Sequence, residues 1–276
     1  SAGVAFYGLL AIFPSLIALV TLYGLMADPQ QIERHVSSLS SVLPPAAAGI
    51  LLNQLSDLAG TDSKTLGFGA IGGLLIALWS TSAGVRSLME ALNVAYNEVE
   101  RRGIVRYYGT GLLLTLAAII GAILAIGTIV AVPIVLGFLG LGTVLEGMIA
   151  FARWPIIAGA MMVGLAVMYR YGPSREEARW AWVSRGAVIA TALWLIASAL
   201  FSFYVTRFGN YNETYGTMGA VVILLMWFFI TAYVVLIGAE INSESERQTE
   251  RDSTEGAPRS LGKRGAYSAD TVGHAT

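Results

Sequence analysis

Long apolar runs without a single charge alternate along this chain with shorter polar interruptions. The charge-free runs cover residues 1–27, 65–85, 107–145, 154–169, 186–206 and 214–239. About 20 apolar residues in a helix suffice to cross the hydrocarbon of a bilayer. The pattern therefore predicts membrane spans at about 3–26, 66–92, 107–130, 152–171, 185–206 and 216–240. The 154–169 run is short, and Arg153 and Arg170 lengthen it by reaching from its ends toward the two interfaces. Barrel strands would alternate polar and apolar positions over about 10 residues, and these runs do not. The predicted class is an all-α integral membrane protein, a six-transmembrane-helix bundle with short amphipathic surface helices.

The interruptions predict the rest of the architecture. In 28–64, Ile32, Val36, Leu39 and Leu43 recur at helical spacing, Pro44 and Pro45 break the run, and Ile50, Leu51, Leu55 and Leu58 resume it. Two amphipathic helices on the external surface are expected there. After the third span, Pro133 with Gly137, Gly140 and Gly142 predicts an irregular connection. Ser174-Arg-Glu-Glu177 reads as a capping box that starts a short helix, with Trp180 and Trp182 following at the interface. Asn210, Tyr211, Asn212 and Tyr215 form a candidate external loop, suited either to anchoring the chain or to binding head groups or sugars. Residues 247–276 are polar, charged and rich in Gly and Ser, which predicts a disordered cytoplasmic tail. The chain opens on Ser1, already inside the first span, so a preceding cytoplasmic segment is expected.

Composition sharpens the class. Hydrophobic residues make up 55% and charged residues 13% of the chain, against roughly 25% charged in soluble domains. The net charge of −1, with no basic domain, gives no expectation of a nucleic-acid partner. With Cys 0, disulfides and thiol catalysis are excluded. Arg101, Arg102, Arg106, Arg170, Arg175, Arg179, Arg185, Arg247 and Arg251 fall on one side of the predicted topology, whereas Arg34, Lys64, Arg153 and Arg207 fall on the other. By the positive-inside rule both termini are expected in the cytoplasm. Glycines such as Gly69 and Gly73 at the start of the second span permit close helix contact, within one chain or in a homo-oligomer.

Candidate chemistry concentrates where the second span meets the basic loop. Arg86, Glu90, Asn93 and Tyr96, together with Glu240 and Asn242 at the end of the sixth span, form a candidate substrate path or structural polar cluster. Arg86 and Glu240 fall at similar predicted depth, so an ion pair between them is expected. A pair with Glu90 one turn on, or contact with lipid phosphate, are the alternatives. The two histidines, His35 and His274, have no second ligand at useful spacing, and no phosphate-binding glycine loop or nucleophile elbow occurs. No catalytic residue, metal or cofactor is expected, and the chain is not expected to be an enzyme.

Several motifs resemble the YihY/virulence factor BrkB family of bacterial inner-membrane proteins. They are Ala5-Phe-Tyr-Gly-Leu-Leu-Ala-Ile-Phe-Pro14, Trp79-Ser80 with Arg86 and Ala91-Leu-Asn93-x-x-Tyr96, Tyr169-Arg-Tyr-Gly-Pro173, Tyr211-Asn-x-Thr-Tyr-Gly216 and Gly238-Ala-Glu-Ile-Asn242. The resemblance implies a multi-pass protein of the bacterial plasma membrane. It also implies that a ribonuclease label once attached to the family is a misassignment. Two roles remain open at this point, with membrane lipids as partners in either. One is a transporter or translocase of an amphipathic, lipid-like envelope substrate, favoured because no span carries a charge at its middle. The other is a non-transporting scaffold or envelope assembly factor.

Overall fold

The computed structural model describes residues 1–11, 63–139, 143–208 and 217–273. The expected surface helices between residues 28 and 62, Pro14, both histidines and the loop of Asn210, Tyr211, Asn212 and Tyr215 lie outside the described residues.

The described chain is helical. Helix α1 is Ala2–Ala11, α2 is Ser63–Ala95, α3 is Ile104–Leu139, α4 is Thr143–Tyr171, α5 is Trp180–Phe208, α6 is Thr217–Arg247 and α7 is Tyr267–Asp270. Among the described residues the β-structure is one isolated antiparallel bridge, Ala178 to Thr254. Three helices are long and apolar enough among those residues to cross a membrane, over Ile104–Gly121, Trp180–Arg207 and Val221–Arg247; Ala2–Ala11 and Pro155–Tyr171 form shorter apolar stretches. Helix α3 differs from expectation at its far end, since it continues without interruption past Pro133 to Leu139. A proline removes one intrahelical hydrogen bond, a loss that neighbouring helices compensate in membrane settings.

Each long helix packs on the next, and α6 returns to pack on α2. Helix α1 runs antiparallel to α2, with Gly3 facing the Ser87 hydroxyl and Gly8 close to Gly84. As a result the start of α1, the ends of α2, α4 and α6 and the starts of α3 and α5 gather at one pole. The arginines of the 101–106 and 170–185 segments and of the C-terminal segment all collect there.

The buried core lies against this pole. Leu92 and Tyr96 from α2 and its exit, Leu165 and Tyr169 from α4, Val183 and Ala187 from α5, and Val235 and Ala239 from α6 form one cluster. Small residues let α5 and α6 approach unusually closely. A Cβ on Gly186 would lie 2.0 Å from the Gly238 carbonyl oxygen, and one on Gly238 would lie 2.8 Å from that of Gly186. Without a hydrophobic drive between helices in lipid, such backbone proximity and the van der Waals contact it allows hold helices together.

Residues 248–273 overturn the expectation of a disordered tail. They fold back on the pole, with Ser253, Thr254, Arg264, Ala266, Ser268 and Ala269 buried. The composition is too polar to dock by apolar burial, and the segment docks through hydrogen bonds instead. The backbone N–H groups of Arg179 and Glu255 donate to Ser253 and Glu177 carbonyls at 2.9 and 2.8 Å. The Ser243 and Ser268 hydroxyls meet at 2.7 Å. Arg264 is only 6% exposed in its side chain. Its guanidinium donates to the Ala269 carbonyl at 2.7 Å and the Arg259 carbonyl at 3.2 Å, satisfying donors that burial would otherwise make costly.

Candidate functional site

The pole is built from the exit of α2 upward. Helix α2 ends where Asn97 adopts φ 54°, a left-handed conformation that asparagine tolerates better than most residues. The Asn97 N–H then bonds the Val94 carbonyl at 3.1 Å, and the Glu98 N–H bonds the Asn93 carbonyl at 2.7 Å. This double closure satisfies orphan carbonyls and turns the chain sharply. It leaves the Asn93 side chain, 5% exposed, pointing into the pole.

Asn93 joins two loops. Its side-chain N–H donates to Glu100 Oε2 at 3.0 Å, and its Oδ1 accepts the Ser174 backbone N–H at 2.6 Å. The Ser174 hydroxyl accepts the Arg101 backbone N–H at 3.0 Å. The capping-box expectation therefore fails: residues 172–176 form bends rather than a helix, and Glu177 pairs with Arg170 at 3.1 Å. Ser174 is already engaged, its N–H by Asn93 at the end of α2 and its hydroxyl by the α2–α3 loop.

Arg102 closes the end of α4. It donates to the Gly172 carbonyl at 2.8 Å and the Tyr171 carbonyl at 3.3 Å, groups left without intrahelical partners at the negative end of the helix dipole. Glu100 holds Arg102 there through Oε1 to Nε and Oε2 to Nη2, both 2.8 Å. Burial alone would raise the Glu100 pKa, but the hydrogen bonds from Arg102 and Asn93 prevail and hold it at about 2.

At the centre sits a buried ion pair. Arg175 and Glu246 meet in a two-point contact, Nη1 to Oε1 at 3.1 Å and Nη2 to Oε2 at 2.6 Å, with side-chain exposures of 1% and 0%. The Ser253 hydroxyl gives Glu246 a further bond at 2.6 Å. Burial disfavours the Arg175 cation, and the neighbouring Glu246 charge and hydrogen bonds outweigh it, so the guanidinium pKa is raised. The guanidinium also lies 5.1 Å from the centre of the Tyr96 ring. Burial pushes the Tyr96 phenol well above its ordinary value against the opposing pull of Arg175. Asn242 serves the helix crossing: its Oδ1 accepts the Gly186 N–H at 2.7 Å and its Nδ2 donates to the Val183 carbonyl at 3.2 Å. Nearby, the Tyr169 hydroxyl donates to the Val235 carbonyl at 2.7 Å.

Of the residues singled out from sequence, the pole brings together Asn93, Tyr96 and Asn242. Arg86, Glu90 and Glu240 lie elsewhere. The Arg86 guanidinium donates to the Ser82 hydroxyl and lies 4.7 Å from the Tyr108 ring centre and 5.2 Å from that of Trp79. Among the described residues no ion pair joins Arg86 to Glu240 or Glu90. Glu90 instead accepts from the Tyr107 hydroxyl at 2.8 Å. Glu240 is exposed and sits beside the like charge of Glu244. The expected Arg86–Glu240 pair is thus corrected, because Arg86 turns toward α3 and its aromatic rings. In the sequence Arg102 and Arg175 stand out only as charges on one side of the membrane, and nothing marks Glu246 as the counterpart of Arg175. Among the described residues no three of His, Cys, Asp and Glu lie together so as to hold a metal ion.

Comparison with known proteins decides the family. A family model described as Virulence factor BrkB matches residues 1–261. The chain belongs to this family. Similar proteins include a ribonuclease-like protein, YfkH, of Bacillus subtilis, 30% identical over 254 residues that cover 88% of each chain. A UPF0761 membrane protein of Alteromonas mediterranea is 27% identical over 79% of this chain and 72% of its own. A UPF0761 membrane protein of Vibrio cholerae is 25% identical over 76% of this chain and 68% of its own. No solved structure matches. Family and apolar helices together make this BrkB-family chain a membrane protein.

Proposed function

We propose that the chain is a six-span protein of the bacterial plasma membrane, with its charged pole in the cytoplasm, that translocates an amphipathic, lipid-like envelope molecule without chemistry of its own. The observation carrying this reading is the separation of charge from helix surface. The stretches 107–139, 154–169, 186–206 and 217–239 hold no Asp, Glu, Lys or Arg, while outward side chains such as Leu113, Ile120, Leu124, Leu200 and Phe203 are more than half exposed. Such faces do not support a charged relay through the bilayer centre. They suit a cargo whose acyl chains stay in lipid while its head group is handled at the helix ends. The sealed pole, with Arg175–Glu246 at its centre, serves as the closed cytoplasmic end of that route.

One observation favours the scaffold reading instead. The C-terminal segment exposes Leu261, Tyr267 and Val272 at 50, 42 and 42%, apolar side chains that a bound partner would cover. Reconstitution with fluorescent lipids separates the two. Translocation predicts accelerated movement of at least one lipid class between leaflets. Failure with every head group, together with a stable copurifying protein, would establish the scaffold.

A further inference from the structure

The seam between α2 and α3 carries a cation with no carboxylate partner among the described residues, oriented from several sides. Gly111 of α3 makes room for the Arg86 stem: a Cβ there would lie 2.7 Å from Arg86 Cγ. Ser82 donates its own proton to the Trp79 carbonyl at 2.7 Å, which leaves its oxygen free to accept from the guanidinium. The Trp79 and Tyr108 rings stack at 5.1 Å with an interplanar angle of 3°, and the guanidinium lies against both. Trp79 is 54% exposed and Ile76, one turn further, 70% exposed. The half-buried head of Arg86 therefore borders an apolar outer surface.

Depth fits the head-group layer. Arg86 precedes Asn93 by two turns, roughly 10 Å along the axis from the charged loops. A cation at that level is costly unless an anion or water reaches it. Ser82 and the rings use only part of its five N–H donors. Glu90, one turn nearer the pole, does not compensate it, because it is exposed and engaged by Tyr107. A phosphodiester supplies what is missing: negative charge, paired acceptor oxygens and apolar chains that lie along Ile76 and Trp79.

We propose that Arg86, with Ser82, Trp79 and Tyr108, forms a lateral site for the phosphate of an anionic membrane lipid. The proposal rests on the membrane placement given above and names the chemical class the seam recognises. The test uses the full chain in bilayers containing brominated phosphatidylglycerol or brominated phosphatidylcholine, with tryptophan quenching as the readout. The difference between wild type and Trp79→Phe isolates the Trp79 signal.

One membrane-proximal cation contributes on the order of a fivefold preference for anionic lipid. Brominated phosphatidylglycerol should therefore quench Trp79 at about one-fifth the mole fraction that phosphatidylcholine requires. Arg86→Gln should erase that preference, and Arg106→Gln, an exposed change of equal charge, should leave most of it. Arg86→Lys keeps charge without the planar fork and should retain part; it carries the test if Arg86→Gln does not accumulate. Equal quenching by both lipids in wild type overturns the site, as does equal loss in the Arg86 and Arg106 variants. Relief of the quenching by excess inorganic phosphate would make a soluble anion the occupant and overturn the lipid assignment. The measurement reads equilibrium binding, so it stands or falls separately from leaflet-to-leaflet movement.

Discussion

The α5–α6 seam and the α2–α3 seam both depend on glycine, and they use it for opposite ends. At the first, Gly186 and Gly238 bring backbone against backbone, with a built Cβ only 2.0 Å from a carbonyl oxygen, and Asn242 ties the two helices by hydrogen bonds. At the second, Gly111 leaves a hollow that an arginine stem fills, and the polar head comes to rest among rings at the surface. A glycine facing backbone closes a contact permanently. A glycine facing a long side chain stores room for something that can shift.

Substitution should break the first seam and spare the second. Gly186→Ala should have the largest effect, since neither carbonyl can move without displacing a helix. Loss of the folded species from the membrane fraction is expected, read by yield and by size-exclusion profile in detergent. Glu246→Ala should follow, at about 3–5 kcal/mol, because it leaves Arg175 buried and unpaired. The drop should show as a lowered melting temperature that shrinks when Arg175→Ala is added.

Acid should act more gently, and at the α2–α3 loop. The Glu100 pKa falls from 4.5 to about 2 on folding. Its contribution is therefore fully present above pH 4.5 and is lost as pH falls through about 2. Glu100→Gln should flatten the acid limb of a stability-versus-pH curve, leaving the share from Asp252, whose pKa is also lowered. Gly111→Ala should have the smallest effect, within about 1 kcal/mol of wild type. Its Cβ would lie 2.7 Å from Arg86 Cγ, so the Arg86 stem must change rotamer, a cost that the roughly 1 kcal/mol helix preference of alanine over glycine offsets. A melting curve for Gly111→Ala as damaged as that for Gly186→Ala would erase the distinction between the seams.

Much of this was legible in sequence. The charge-free runs located the long helices, because apolar length is a requirement the bilayer imposes on each helix separately. The arginine distribution likewise marked the pole that the structure assembles. Partnerships were less legible. Arg86 was expected to meet Glu240, but the choice was made by Gly111 on another helix, which cannot be seen in the spacing of charges. Ser174 carried a true capping pattern, and it lost to Asn93 and Arg101, whose approach depends on how α2 ends at Asn97. The C-terminal segment reads as disordered because its composition offers little apolar burial, whereas Arg264 is held by carbonyl oxygens that composition does not reveal.

That segment has a consequence for how the protein is made. Its contacts are with Glu98 between α2 and α3 through the Tyr267 N–H, with Glu176 and Glu177 between α4 and α5, and with Ser243 in α6. A ribosome releases it after all of these, and its full set of contacts forms only once both loops and the last helix lie side by side. Its docking therefore follows the meeting of those elements. A copy with one of those elements out of place should leave that stretch open to an added protease, whereas an assembled copy should protect it.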